Sequence, residues 1–287
     1  MNFEGITLVN QPKKTAIVTG SSSGIGKEIS LILARHGYNT FATMRNLDKA
    51  TEIQTIADSE NLQSLNFEQL DVTSQNSVYK AITNIYDKTG RIDILVNNAG
   101  YGLIGAFEDT SIDEVKDQYE TNFFGLIRTT QAVLPIMRKQ ESGLIVNISS
   151  GVGRFGIPTL SSYSSTKFAL EGLTESMSYE VEPFGIRTVL IEPGVIRTNF
   201  FNSTIVAKKS QDSNSPYYEF MRSMEKDFAQ LMKNNSSTPE HVAKVVLDSI
   251  TAENPKLRYL AGQDVEEWID AKKKMTDEEF HNMFKQY

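Results

Sequence analysis

Residues 13–19, KKTAIVT, form a short β-branched apolar run that ends abruptly in Gly20-Ser21-Ser22-Ser23-Gly24-Ile25-Gly26. Residues 27–35, KEISLILAR, then place apolar side chains at helical spacing, and Gly37 stands where such a helix would stop. A strand, a glycine-rich turn and a helix in that order constrain the chain more than any other feature. Glycines let the backbone approach a pyrophosphate closely, and the first helical turn offers unpaired N–H groups and the positive end of the helix dipole. The spacing is G-x-x-x-G-x-G, on Gly20, Gly24 and Gly26, with Ser22, Ser23 and Ile25 between them. It departs from the common dinucleotide fingerprint and lacks the Lys-Ser/Thr of a P-loop. A plain Ser/Gly turn is the alternative. The position of this one, opening an amphipathic helix, favours a phosphate cradle.

The alternation continues along the chain. Strands are expected over residues 38–43, 66–70, 92–97, 144–149, 186–191 and 256–260, and helices over 47–59, 74–88, 112–138 and 163–183. This pattern predicts an α/β fold: a Rossmann-type doubly wound parallel sheet of about seven strands, with helices on both faces. A single domain over residues 1–287 is expected, with a cofactor-binding and catalytic core at 13–198, a lid at 199–235 and C-terminal helices and a last strand at 236–287. The lid segment is longer than an ordinary connection and carries Phe200, Phe201, Tyr217, Tyr218, Phe220, Met221, Met224, Phe228 and Met232. Such residues suit a mobile cover over an apolar substrate, or simply a cover for the core or a subunit contact. After it Thr238 reads as an N-cap, with Pro239 in the first helical turn.

Tyr163 and Lys167 lie four residues apart on one expected helix, so their side chains leave from one face. A phenol beside an ammonium can transfer protons, because the cation favours phenolate and draws the phenol pKa downward. An exposed Tyr–Lys pair is the bland alternative, although none of the other ten tyrosines has a lysine at that offset. Ser150 ends the preceding strand and can bring a hydroxyl into the same space.

About twenty residues beyond the glycine turn, dinucleotide sites often place an acid for the ribose 2′-hydroxyl. Here the strand ends in Thr43-Met44-Arg45-Asn46. The Arg45 guanidinium suits a 2′-phosphate in charge and in fork geometry, favouring NADP(H) over NAD(H). An ordinary surface arginine, with NAD as the cofactor, is the alternative.

Composition narrows the partners. A formal charge of −7 and a pI near 5.2 disfavour nucleic acid and anionic membranes. There is no cysteine, which excludes disulfides, thiolate metal sites and a cysteine nucleophile and fits a reducing compartment. With no signal-like N-terminus and no apolar run of about 20 residues, a cytoplasmic location is expected. His36, His241 and His281 lie apart from the motifs, so no metal is expected.

Taken together, TGSSSGIG, the NNAG of residues 97–100, Asn122 in TNFFG, Ser150, the YSSTK of residues 163–167 and the PGVIRT of residues 193–198 resemble the short-chain dehydrogenase/reductase family. The neighbourhoods of Tyr101 and Tyr163 are most similar to the branch holding 17β-hydroxysteroid and retinol dehydrogenases. The resemblance implies an oxidoreductase acting on a carbonyl/alcohol pair. Tyr163 would be the general acid/base, Lys167 would hold the nicotinamide ribose and lower the Tyr163 pKa, and Ser150, before Ser149, would bind the substrate oxygen. Asn122 would support a water-linked relay. Asp71, with Val72, would meet the adenine; Asn98, with Ala99 and Gly100, would brace the sheet beside the cofactor; Pro193, Gly194, Val195 and Thr198 would face the nicotinamide end. Thr166 stands where the family more often has Ser or Ala. A homodimer or homotetramer is also implied. A non-catalytic dinucleotide sensor and a nucleotide-sugar epimerase are the alternatives, and the complete Asn122, Ser150, Tyr163 and Lys167 set argues against the sensor.

Overall fold

A computed structural model describes residues 13–197, 204–235 and 237–285. Its strands are β1 (Thr15–Val18), β2 (Asn39–Met44), β3 (Leu65–Gln69), β4 (Ile94–Asn97), β5 (Leu103–Ile104), β6 (Gly143–Ile148), β7 (Ile186–Pro193), β8 (Ile205–Val206) and β9 (Arg258–Ala261). The helices are α1 (Gly24–Arg35), α2 (Thr51–Ser59), α3 (Gln75–Thr89), α4 (Ile112–Tyr119), α5 (Gly125–Gln140), α6 (Ser161–Val181), α7 (Tyr218–Asn235), α8 (Pro239–Thr251), α9 (Gln263–Lys274) and α10 (Asp277–Met283).

Seven strands form one parallel sheet in the order β3-β2-β1-β4-β6-β7-β9, and β5 pairs with β8 in a small ladder of its own. The central strands have few polar interior positions because both their faces are covered. On one face Ile29 and Leu33 of α1 meet Val242 and Val246 of α8; on the other Val78, Ile82 and Ile85 of α3 meet Val133 and Met137 of α5. This is the doubly wound Rossmann-type architecture that the alternation predicts. Strand order reverses between β1 and β4, and a crevice at the carboxyl ends of those strands is the usual ligand position in such sheets. No helix among the described residues is long and apolar enough to cross a membrane.

Two stretches differ from the sequence-based expectation. Residues 112–138 are helical throughout, as expected, but not uniformly so: α4 and α5 are joined by a π turn over Glu120–Phe124. The cause is Asn122, which is 2% exposed; its Nδ2 donates to Tyr101 O at 2.9 Å and its Oδ1 accepts from Tyr101 N at 3.0 Å. One inserted residue turns that amide onto the loop after β4 while the apolar periodicity on either side survives. The second stretch is the expected lid. Beyond Phe200 and Phe201, which lie outside the described residues, residues 204–217 are tied to residues 103–114 rather than looping freely. Ala207 N donates to Ile104 O at 2.8 Å, Ser215 Oγ to Asp109 Oδ2 at 2.5 Å, and Lys208 N to Glu114 Oε1 at 3.0 Å. The remainder is α7.

The register of the central strands is pinned at their amino ends by Asp93, which is 5% exposed. Its Oδ2 accepts from Thr15 N at 2.7 Å, and Arg91 grips both carboxylate oxygens at 2.8 and 2.6 Å. Asp93→Ala would leave a buried N–H and an unpaired guanidinium behind. Urea unfolding should show a loss of about 2–3 kcal/mol, and Asp93→Asn should lose less. A loss below about 0.5 kcal/mol would remove Asp93 from this role.

Candidate active site

The carboxyl ends of β1, β4, β6 and β7 open into one cavity of ≈ 1630 Å³. At one end the glycine turn is shaped by a direct tie between strands. Thr19 Oγ1 accepts from Asn98 N at 3.0 Å and Ala99 N at 3.1 Å, while Asn98 Nδ2 donates to Thr19 O at 2.9 Å and Gly20 O at 3.1 Å. The main chains consequently come so close that a Cβ at Gly20, where φ is +69°, would lie 2.8 Å from Ala99 Cα. Of the three serines in the turn, Ser21 is buried and bonds inward to Val18 O at 2.9 Å, whereas Ser22 and Ser23 border the cavity. Ser23 is the N-cap of α1 but makes no side-chain cap bond, and the first turn holds no acid. This is a cradle of backbone donors at a positive dipole end, and it fits a pyrophosphate.

Arg45 and Lys49 stand exposed on the rim beside this cradle, and Met44, Leu70, Asp71 and Val72 line the adjoining wall. Arg45 O accepts from Gln69 Nε2 at 2.9 Å. Asp71 Oδ1 accepts from Thr73 N at 3.0 Å and Thr73 Oγ1 at 2.8 Å, so the carboxylate is already oriented. These residues fit a dinucleotide carrying an adenosine at this end.

At the other end Ser150, Tyr163 and Lys167 meet. Ser150 caps a short 3-10 turn after β6, accepting from Val152 N at 3.3 Å, and its Oγ lies 3.5 Å from Pro193 O. Its hydroxyl also hydrogen-bonds Tyr163. Ser149 is 3% exposed and belongs to the buried side of the strand end. Lys167 is 7% exposed; its Nζ donates to Ile148 O at 2.8 Å and sits 5.6 Å from the Tyr163 ring centroid.

Burial governs both titrations. It lowers the Lys167 ammonium from 10.5 to about 8, against the pull of the Glu171 carboxylate one turn along α6. It also holds the Tyr163 phenol above its ordinary value, against the hydrogen bond from Ser150. The downward shift expected from Lys167 is not what governs Tyr163 here: desolvation sets the direction, and the Ser150 hydrogen bond is what opposes it.

Gly100, Pro193, Gly194 and Val195 complete this part of the wall, and Thr198 lies outside the described residues. Asn122 holds Tyr101, which borders the cavity. Above the catalytic end, α7 turns Met221, Met224, Phe228 and Met232 toward the cavity, opposite Ile104, Leu160 and Trp268. Sequence reasoning missed Lys49, Tyr101 and Trp268. Lys49 had a usable signal, since it is a second cation close after Arg45 at the end of β2. Trp268 had none, because it comes to the site only through the packing of α9.

A model of the short chain dehydrogenase family matches residues 14–209. The chain belongs to that family. Among its relatives, this short-chain dehydrogenase is 35% identical to the 3-ketodihydrosphingosine reductase of Bacteroides thetaiotaomicron, over 86% of this chain and 87% of that protein. It is also 35% identical to retinol dehydrogenase 8 of Bos taurus, over 85% of this chain and 80% of the relative, which places it near the retinol dehydrogenase-like branch. The solved structure of ElxO with NADP bound superposes with a TM-score of 0.75 at 31% identity, over 89% of this chain and 99% of that one.

Lys167 yields a test that needs no cofactor. A lysine whose folded pKa lies at about 8 rather than 10.5 makes the fold bind fewer protons than the unfolded chain above that value, so its burden on stability is full below pH 8 and is relieved as pH rises. Above pH 10 the raised Tyr163 acts in the opposite sense, which confines the useful window to roughly pH 8–10. Lys167→Met should therefore stabilise the protein at pH 7 by on the order of 2 kcal/mol, with the gain shrinking across that window. Thermal unfolding at a series of pH values measures it. A destabilised variant at pH 7 would overturn the reading.

Proposed function

We propose that this protein interconverts a carbonyl and an alcohol using NADP(H), with Ser150, Tyr163 and Lys167 as the reacting group's protein partners. The observation that carries this is the meeting of a hydrogen-bonded Ser150–Tyr163 pair and a buried lysine in the cavity that also holds the glycine turn. The dinucleotide, held by the cradle at Gly20–Gly26, by Asp71 and by Lys167, supplies or accepts the hydride. Ser150 and Tyr163 both donate to the substrate oxygen as negative charge builds on it in the reducing direction. Tyr163 then gives up its proton, and takes one in the oxidising direction. A phenol held high by burial stays protonated but parts with its proton at a cost; lowering the cost of phenolate falls to Lys167, which must be charged to do so. With both ends of its amide engaged by Tyr101, Asn122 holds the loop after β4 that borders the cavity, and supports the water-linked relay from there. Tyr163→Phe should lower kcat by about 100-fold or more while leaving dinucleotide affinity nearly unchanged. Turnover at a tenth of the wild-type rate or above would end the assignment.

Arg45 supports NADP(H) rather than NAD(H), and Lys49 beside it strengthens the case. A charge-assisted bond to the 2′-phosphate is worth about 1.5–3 kcal/mol, or roughly ten- to a hundredfold in affinity. Fluorescence titration should show that preference, high salt should erode it, and Met44→Asp with Arg45→Ala should reverse it. Equal affinities in the wild type would reassign Arg45 as a surface residue.

The substrate side is apolar. Met221, Met224, Phe228 and Met232 lie on one stripe of α7, about 16 Å long at 1.5 Å per residue, and none of them is buried by the protein itself. Retinol and 3-ketodihydrosphingosine, for which two relatives are named, both carry a long apolar portion. The segment at 204–235 is read as a substrate lid, with thioether side chains that adapt to an apolar chain. A cytoplasmic homo-oligomer is the proposed state. Phe168 and Tyr179 on α6, 48% and 70% exposed, offer apolar surface for pairing.

A further inference from the structure

The family match ends at residue 209, yet α9 lies beyond it and presses on the catalytic end from behind. A Cβ added at Gly151, next to Ser150, would lie 2.6 Å from Val265 Cγ2. At Gly194 it would lie 2.5 Å from Asp264 Cγ, and at Gly262, where φ is +138°, 2.6 Å from Asp264 Oδ1. Three backbone positions thus lack room for a methyl group because this one helix turn is there. Asp264 is 3% exposed, and its Oδ2 accepts from Val195 N at 2.6 Å. The same turn is held by Gly194 N donating to Ala261 O at 3.2 Å and Ser237 N donating to Val195 O at 2.9 Å. Among these three bonds only that of Asp264 comes from a side chain, and it is charge-assisted. Its carboxylate sits in the first turn of α9, where the helix dipole favours a negative charge.

We infer that Asp264 is a positioning residue that sets the Pro193-Gly194-Val195 turn against Ser150, making the C-terminal helix α9 part of the construction of the nicotinamide end. The inference rests on the proposed dinucleotide reading of the cavity. Pro193 O lies 3.5 Å from Ser150 Oγ, so a displaced turn would alter both the cofactor wall and the hydroxyl that faces the substrate. The Asp264 contacts with Gly194, Val195 and Gly262 lie at the nicotinamide end rather than the adenosine end, and that placement makes the claim testable.

The test uses the full chain with Asp264→Ala and Asp264→Asn, titrated with NADPH and with adenosine 2′,5′-bisphosphate, which fills only the adenosine end. Asp264→Ala should weaken NADPH about tenfold or more while the bisphosphate changes by less than about twofold. Asp264→Asn should fall between, since an amide oxygen can still accept from Val195 N without the charge. Amide hydrogen exchange in the protein alone should quicken across residues 194–197 in both variants. Equal weakening of both ligands would mean general damage and overturn the inference, as would unchanged NADPH affinity with unchanged exchange. Should Asp264→Ala fail to fold, Asp264→Asn carries both readouts. If the wild type binds neither NADPH nor NADH, the dinucleotide reading falls, and exchange at Val195 still decides whether Asp264 clamps the turn.

Discussion

The site depends first on the contact between the ends of β1 and β4. Thr19 and Asn98 exchange bonds in both directions, with Thr19 Oγ1 accepting two main-chain N–H groups and the Asn98 amide answering to two carbonyls. Buried polar groups at strand ends have no ladder to satisfy them, and an unpaired one costs about 1–3 kcal/mol. Here that requirement and the shape of the cradle are met by the same bonds. The main chains are drawn together until Gly20 faces Ala99 at a distance closed to any side chain. With the Gly20 carbonyl taken by Asn98 and Ser21 N donating to Thr43 O at 2.9 Å, the amino end of α1 is left to face the cavity.

Much of this was legible in the sequence. The strand–helix alternation gives the sheet and its two covered faces, because parallel strands buried on both sides must read as short apolar runs. Gly20, Ser150, Tyr163 and Lys167 were visible as residue types in a fitting order, and the structure brings them to one cavity. Other features had no one-dimensional signature. The π turn at Glu120–Phe124 inserts a single residue into an amphipathic pattern that reads the same on both sides, and its cause, Asn122 binding Tyr101, spans a loop. Likewise the segment after residue 203 looks loop-like by composition, yet α7 forms because its apolar stripe has a cavity to face. The direction of the Tyr163 pKa shift differs from the expectation for a related reason. Proximity to Lys167 can be read from spacing, whereas desolvation depends on everything packed around the pair.

Polar side chains deep in the sheet do similar work away from the cavity. Asn97 Nδ2 donates to Thr130 Oγ1 and to Asn147 Oδ1, both at 2.9 Å, and Asn147 Nδ2 donates to Thr174 Oγ1 at 2.9 Å. This chain of amides and hydroxyls crosses from α5 through β4 and β6 to α6. It sets α6 at a fixed rotation, since a hydrogen bond between two buried side chains is directional where apolar packing is not. An apolar core could hold α6 as tightly, but it would not select which face of the helix Tyr163 and Lys167 occupy.

The far side of α6 is fixed by charge. Arg258 on β9 reaches Glu171 at 2.9 Å and Glu192 at 3.4 Å, and Arg154 reaches Glu192 at 3.1 Å. Glu171 and Glu192 are 5% and 0% exposed, so desolvation is severe, and burial raises Glu192 with Glu171 adding to the shift. A buried ion pair of this kind often contributes little net stability, because the Coulombic gain is offset by the loss of hydration. Its effect is therefore better sought in geometry and field. Arg258 joins the strand that precedes α9 to the helix that carries Tyr163, and Glu171 is the carboxylate that opposes loss of the Lys167 proton. Lys167 thus sits between a desolvating pocket that disfavours its charge and an acid that favours it. The carboxylate that favours the ammonium the proposed chemistry needs is in turn held in place by Arg258 of the C-terminal strand.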